Sequence, residues 1–241
     1  MIRLLALALA VLALSACGGS GSKSSSPPSL PQGTKAVKLD PADFTTNIDN
    51  PYWPMRPGSH WVYREVENGE TQRVDVTVTN QTKTLEGIEA RVVHDRVSRN
   101  GGTLEDTYDW YAQDSAGNLW YLGEDTAEYE NGKLKTREGS WAAGVDGAEP
   151  GIVVPADPKQ GMSYREEYYP GHAEDGAEVL NVDSQVQVPF GRFKNAMLTR
   201  NYSTIEPTVE EMKLYARGVG PVMELLVSGG SGRTDLLSFE R

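Results

Sequence analysis

Residues 59–78, SHWVYREVENGETQRVDVTV, contain the pattern that decides the fold. Residues 59–66 alternate and are rich in aromatic and β-branched side chains, which favours a strand. Residues 67–70 have an Asn-Gly centre, the strongest short-range indication of a hairpin. On the returning strand Val74, Val76 and Val78 share one face, because neighbouring strand residues point to opposite sides. The stretch therefore predicts an antiparallel hairpin with one buried face.

The same kind of pattern recurs along the rest of the chain. Short candidate strands follow one another at nearly regular spacing, and no segment has the pattern of a long helix. Residues 141–161 are an exception, since their glycines, alanines and prolines predict a long loop. We expect one all-β domain over residues 37–241, built as an antiparallel sandwich or an open or half barrel with long loops and at most short helices.

The first seventeen residues have the pattern of a secretion signal. A short basic start precedes an apolar run from Leu4 to Leu14, which is too short to span a bilayer comfortably. The run ends in Leu14-Ser15-Ala16-Cys17, which resembles the lipobox of bacterial lipoproteins at all four positions. The resemblance implies a signal peptide over residues 1–16, diacylglyceryl attachment at Cys17, cleavage just before Cys17, and acylation of the new amino terminus.

The segment after the cysteine has little to bury. Residues 17–36 are rich in Gly, Ser and Pro, which predicts a lipidated N-terminus followed by a flexible tether. Two or more acyl chains make a stable anchor, whereas one chain holds only marginally. We therefore expect the domain to be held at a membrane of the cell envelope, facing the periplasm or the cell exterior.

Composition narrows the set of partners. The 241 residues include 34 acidic and 23 basic ones, and the formal net charge is −11. This excess of negative charge argues against binding to nucleic acid and against electrostatic binding to anionic lipid. Cys17 is the only cysteine, so the mature domain has no disulfide and no free thiol for catalysis.

Two motifs in the last third resemble a known type of protein. Residues 188–195, VPFGRFKN, predict a strand, a tight turn and a return strand, and residues 215–222 read YARGVGPV. The pair resembles the "VPxGxF … YAxGVG" ending of many secreted bacterial β-proteins, which are often lipoproteins of unassigned function. The resemblance implies a β-architecture and no particular activity.

A hairpin rich in aromatic residues is the most suggestive candidate site. With a turn over residues 114–117, Tyr111 is expected opposite Trp120, and Trp110 opposite Tyr121. Both faces of the hairpin would then be aromatic, and the face away from the core needs a cover. The cover is either another part of the chain, an apolar or amphipathic ligand such as a lipid, or an envelope protein. The expected binding residues are Tyr52, Trp53, Trp110, Tyr111, Trp120 and Tyr121.

Catalytic motifs are absent from the sequence. It has no phosphate loop, no dinucleotide fingerprint and no nucleophile elbow, and none of its three histidines has metal-ligand spacing to another. We therefore predict no cofactor and no metal, and binding without catalysis. The alternative is an envelope hydrolase that attacks cell-wall or sugar substrates with paired carboxylates, which leave no local motif on strands. Acidic residues crowd two regions, positions 106–125 and 166–178.

Overall fold

The computed structural model describes residues 30–241, so the predicted signal peptide, Cys17 and most of the predicted tether lie outside the described residues. The described chain is almost entirely strand. Its elements are a 3₁₀-helix at Pro41–Asp43 and the strands β1 Phe44–Thr45, β2 His60–Glu67, β3 Glu70–Leu85, β4 Ile88–Arg99, β5 Gly102–Asp114, β6 Leu119–Glu130, β7 Lys133–Thr136, β8 Trp141–Ala142, β9 Glu149–Val154, β10 Ser163–Tyr169, β11 Ala173–Val188, β12 Gly191–Ser203, β13 Glu210–Ala216, β14 Gly220–Ser228 and β15 Gly232–Glu240.

Twelve strands form a closed antiparallel barrel. Their order is β5-β4-β3-β2-β15-β14-β13-β12-β11-β10-β9-β6, and direct pairing of β5 with β6 closes the ring. The all-β prediction is confirmed, but the predicted sandwich or open or half barrel is wrong. Alternation of apolar and polar residues indicates that a strand has one buried and one solvent-facing side. Both a sandwich and a barrel have such strands. Closure depends instead on which distant strands pair.

The hairpin at residues 59–78 forms as predicted. β2 pairs with β3 so that Glu67 lies opposite Glu70. Asn68 and Gly69 between them have φ angles of 49° and 85°, as a type I′ turn requires. Val74, Val76 and Val78 are all buried.

The predicted loop at residues 141–161 contains two strands, so that prediction is wrong. β8 pairs with β6, and β9 lies between β6 and β10 in the ring. A Cβ on Gly151 of β9 would lie 2.3 Å from the Glu166 carbonyl oxygen, so the neighbouring backbone requires glycine there. Gly151, which weakens the strand pattern in the sequence, is thus required by the packing of β9.

Residues 48–55 fill one end of the barrel. Ile48, Tyr52 and Met55 are each 1% exposed, and the Met55 amide donates to the Ile48 carbonyl. The amide of Gly218, in the β13–β14 turn, donates to the Pro51 carbonyl over 2.7 Å. We call residues 48–55 the plug.

Asn50 anchors the plug, and its removal should loosen it. Its side-chain amide donates to the Gly117 carbonyl, and its side-chain oxygen accepts from the Tyr52 amide, both over 2.9 Å. Asn50→Ala leaves these buried groups unpaired, so we expect the free energy of unfolding to fall by about 2 kcal/mol. Urea titration of the full chain measures this. The exposed Asn47→Ala is the control, and equal losses would contradict the anchoring role.

Candidate functional site

The barrel encloses a cavity of about 1350 Å³, which we call the lumen. The plug lies at one end, where Trp53 contributes to the lining. The other end opens among hairpin turns, with Asn68, Asn131 and Gly229 at its rim. The wall is formed by residues of β2 to β6 and β13 to β15. Alternate residues of a strand point to opposite sides, so about half of each strand faces the cavity. The volume is large enough for a small organic molecule.

Aromatic rings line the plug end of the lumen. Trp53 packs between Tyr111 and Tyr215, with ring centroids 5.6 and 6.2 Å away. Tyr111 stacks on Tyr121 at 4.9 Å. Tyr63 also lines the lumen and donates its hydroxyl to the Pro221 carbonyl over 2.9 Å. These contacts hold Trp53, Tyr63 and Tyr111 in place, and all three line the cavity.

Carboxylates line the wall beyond the rings. Glu65, Asp95, Glu105 and Asp109 occupy inward positions on β2, β4 and β5. Among residues 30–241, none of the four forms an ion pair with a basic side chain. Thr107 donates to Glu105 over 2.9 Å, and Tyr121 donates to Asp109 over 2.7 Å. This part of the wall is therefore acidic and has no basic partner among the described residues.

Burial makes these carboxylates hard to ionise. It raises the pKa of Glu65 to about 7, and the nearby Glu224 and Glu67 add to the effect. It also raises the pKa of Asp109 to about 7, although the hydrogen bond from Tyr121 opposes the rise. The pKa of Asp95 lies well above its usual range, first through burial and then through the charge of Asp109. Part of this wall thus changes charge around neutral pH.

Lys213 is the charged centre of a second cluster on the inner face. Its ammonium nitrogen lies 3.4 Å from Glu211 and 3.5 Å from Glu224. Burial disfavours its charge, but Glu224 and Glu211 outweigh this effect and raise its pKa well above the usual range. The nearby Glu166 accepts two hydrogen bonds from Asn201, at 2.8 and 2.9 Å, and burial raises its pKa to about 7.

The predicted aromatic residues divide between the two faces of the sheet. Tyr52 is buried in the plug, whereas Trp53 and Tyr111 reach the lumen. Trp110 and Trp120 lie on the outer face and are covered by other parts of the chain. The Lys83 ammonium lies 3.2 Å above the Trp110 ring, and Phe44 packs edge-on against Trp120 at 5.9 Å.

The predicted pairing within this hairpin is wrong by one residue. Tyr111 lies opposite Tyr121, and Ala112 lies opposite Trp120. The connection is longer than expected, because the Asp114 amide donates to the Asn118 carbonyl and the Asp114 carboxylate accepts from the Trp120 indole. Both tyrosines consequently face inward, and the two faces are no longer equivalent.

The two acidic stretches are also divided by the sheet. Asp109 and Glu124 face each other across β5 and β6 on the inner side. Asp106 and Asp125 point outward, where they contact His94 and Arg137. No group of three or more His, Asp or Glu among residues 30–241 is arranged to hold a metal ion.

Sequence reasoning missed several acidic residues of the lumen, namely Glu65, Asp95, Glu105, Glu206, Glu211 and Glu224, and the buried Lys213 that pairs with two of them. A weak signal was present, because Glu65 follows Tyr63 at the spacing of one strand face and Asp95 lies between Val93 and Val97. An acid in the register of buried positions indicates either an unusual core or a hydrated cavity.

No protein family and no curated protein matches the sequence. One solved structure, of a proposed lipoprotein from Parabacteroides distasonis, is similar with a TM-score of 0.41 and 11% identity, covering 79% of this chain and 99% of that one. Among residues 30–241 no helix has the length and hydropathy needed to cross a bilayer.

Proposed function

We propose that the chain is a cell-envelope lipoprotein, anchored by lipid on Cys17, whose lumen binds a small amphipathic ligand without converting it. The main support for the proposal is the lumen, a single cavity of about 1350 Å³ that is lined by both fixed aromatic rings and acidic side chains. Trp53 and Tyr111 supply apolar surface, while the carboxylates supply polar contacts. A ligand inside the barrel fits these features better than a protein partner on its outer surface.

Native mass spectrometry of the full chain tests ligand binding. The Cys17→Ser form is used, because it needs no detergent that could enter the lumen. We expect a co-purifying small molecule that Val97→Trp removes, since Val97 lines the cavity. The matched control is Ser98→Trp on the outer face, which should retain the ligand. An empty barrel in every preparation, after screening of envelope extracts, would contradict the proposal.

The lipid anchor gives a separate prediction. Cys17→Ser should move the protein from the membrane fraction to the soluble fraction and abolish incorporation of labelled palmitate, because the thiol is the attachment point. Ser20→Ala, three residues beyond the lipobox, is the control and should remain in the membrane fraction. A Cys17→Ser protein that still sediments with membranes would show that another feature anchors it.

A hydrolase is the second candidate, favoured by one observation. Asp109 and Glu124 are directly opposite each other, and burial raises both pKa values. One protonated and one ionised carboxyl group is the arrangement that glycoside hydrolysis requires. Assay with cell-wall glycans distinguishes the two functions, because turnover that is lost in Asp109→Asn and Glu124→Gln would favour the enzyme.

A further inference from the structure

Acidic side chains greatly outnumber basic ones in the lining of the lumen. Eleven acidic residues line it against three basic ones. Two of the three bases are already paired with acids of the lining, Arg99 with Glu70 and Lys135 with Glu128. The third, Arg233, turns its guanidinium to Asp235 on the outer face, at 2.8 Å. Lys213, beside the lining, pairs with Glu211 and Glu224. Among residues 30–241, seven of the eleven lining acids therefore have no basic partner.

Two carboxylates of the lining also have oxygens without a hydrogen-bond partner. Glu206 is only 6% exposed, and its Oε2 has no donor among residues 30–241. Asp95 Oδ1, on β4, likewise has no donor among the described residues. Buried acceptors are normally satisfied, so these two oxygens indicate a missing donor. A ligand rich in N–H groups would supply it.

The aromatic end of the lumen is suited to the same kind of ligand. Tyr111 and Asp109 are two residues apart on one face of β5, so a ring and a carboxylate lie side by side. Alkylammonium groups bind favourably over aromatic faces, and more strongly where water is excluded. Trp53 and Tyr63 extend this aromatic surface along the cavity.

A metal ion would not use this arrangement. Hard cations need several oxygens converging within about 2.5 Å. The carboxylates instead lie on separate strands, and no group of three or more metal-ligating residues occurs among residues 30–241. Spaced negative charges favour a molecule whose positive charges are also spaced.

We propose that the lumen binds an organic polycation, an aliphatic chain carrying two or more ammonium groups. This inference rests on the proposed ligand-binding function and specifies its ligand class. Ammonium groups would bind at Asp95, Glu65 and Glu206, and the aliphatic segments would pack on Trp53 and Tyr111.

Isothermal titration of the full-length Cys17→Ser chain with spermine at pH 8 and 0.15 M NaCl tests the inference. We expect one saturable site. Asp95→Asn and Glu65→Gln should each weaken binding about tenfold or more, because each removes a carboxyl group that would pair with an ammonium group. The matched control is Asp106→Asn, whose carboxylate contacts His94 on the outer face and which should bind spermine like the unmodified protein.

The outcomes separate this inference from the function on which it rests. Spermine binding that is unchanged in Asp95→Asn and Glu65→Gln would locate the polyamine on the surface and overturn the inference. Binding of laurate or a neutral amphiphile instead of spermine, when blocked by Val97→Trp, would also overturn it but leave the ligand-binding function intact. An empty lumen with every probe and every extract would remove both.

Discussion

Replacing Lys213 with methionine is expected to lower the free energy of unfolding by about 3 kcal/mol at pH 8, because it leaves buried carboxylates without their counter-ion. Lys213 is 3.4 Å from Glu211 and 3.5 Å from Glu224. Its charge also opposes the rise in the pKa of Glu166 that burial causes. One lysine thus compensates three acidic groups on the inner face of the barrel. Urea titration of the full chain measures the loss.

Two further variants identify the cause of that loss. Lys135→Met removes an ammonium group 3.1 Å from Glu128, but that lysine side chain is 46% exposed. We expect it to cost less than about 1 kcal/mol, since water already solvates the pair. Adding Glu224→Gln to Lys213→Met should recover part of the lost stability. A loss in Lys213→Met no larger than that in Lys135→Met would contradict a central role for this lysine.

The barrel without ligand is expected to be more stable at pH 5 than at pH 8. Glu65, Asp109 and Glu166 each have a pKa of about 7 in the folded chain. In the unfolded chain the same groups ionise near pH 4. Between these values the folded chain holds protons that the unfolded chain has released, so stability falls as pH rises through about 7.

The effect should be large enough for thermal unfolding to measure. One unit of pKa shift corresponds to about 1.4 kcal/mol. With a discount for water in the lumen, we expect a loss of at least about 3 kcal/mol between pH 5 and pH 8. A domain of this size would then melt roughly 6 to 12 °C lower.

The charged cluster around Lys213 does not reverse this trend. Glu211 has a lowered pKa, so its contribution changes only below the window. Lys213 keeps its charge throughout, because its pKa is raised. The combined variant Glu65→Gln and Asp109→Asn should flatten the dependence, since it removes two of the titrating groups. A melting temperature that rises from pH 5 to pH 8 would contradict the assignment.

Local features of the fold followed from the sequence. The Asn-Gly pair at positions 68 and 69 predicts a turn, and the φ angles of both residues confirm it. The alternating valines from position 74 predict a buried face, and these valines are buried. These features depend on residues within a few positions of one another, where side-chain chemistry restricts the backbone directly.

The site could be predicted only in part. Trp53 and Tyr111 were expected to bind a ligand, and both reach the lumen. Glu65 and Asp95 were not expected there, because a carboxylate in a strand normally indicates the solvent face. In a sandwich these inward positions would be a dry core that excludes ionised groups. In a closed barrel the same positions line a cavity that tolerates them.

By itself, the sequence determined most of the strands and which of their residues share a face, because strand geometry repeats every two residues. The tertiary structure alone decided that the sheet closes. Closure requires pairs such as His60 with Glu240, which are far apart in the chain and leave no local pattern. It also decided that Tyr111 lies opposite Tyr121, since the register depends on the connection after Asp114. The acidic lumen depends on the closure of the sheet and on the strand register, because inward-facing residues enclose a cavity only when the ring of strands is complete.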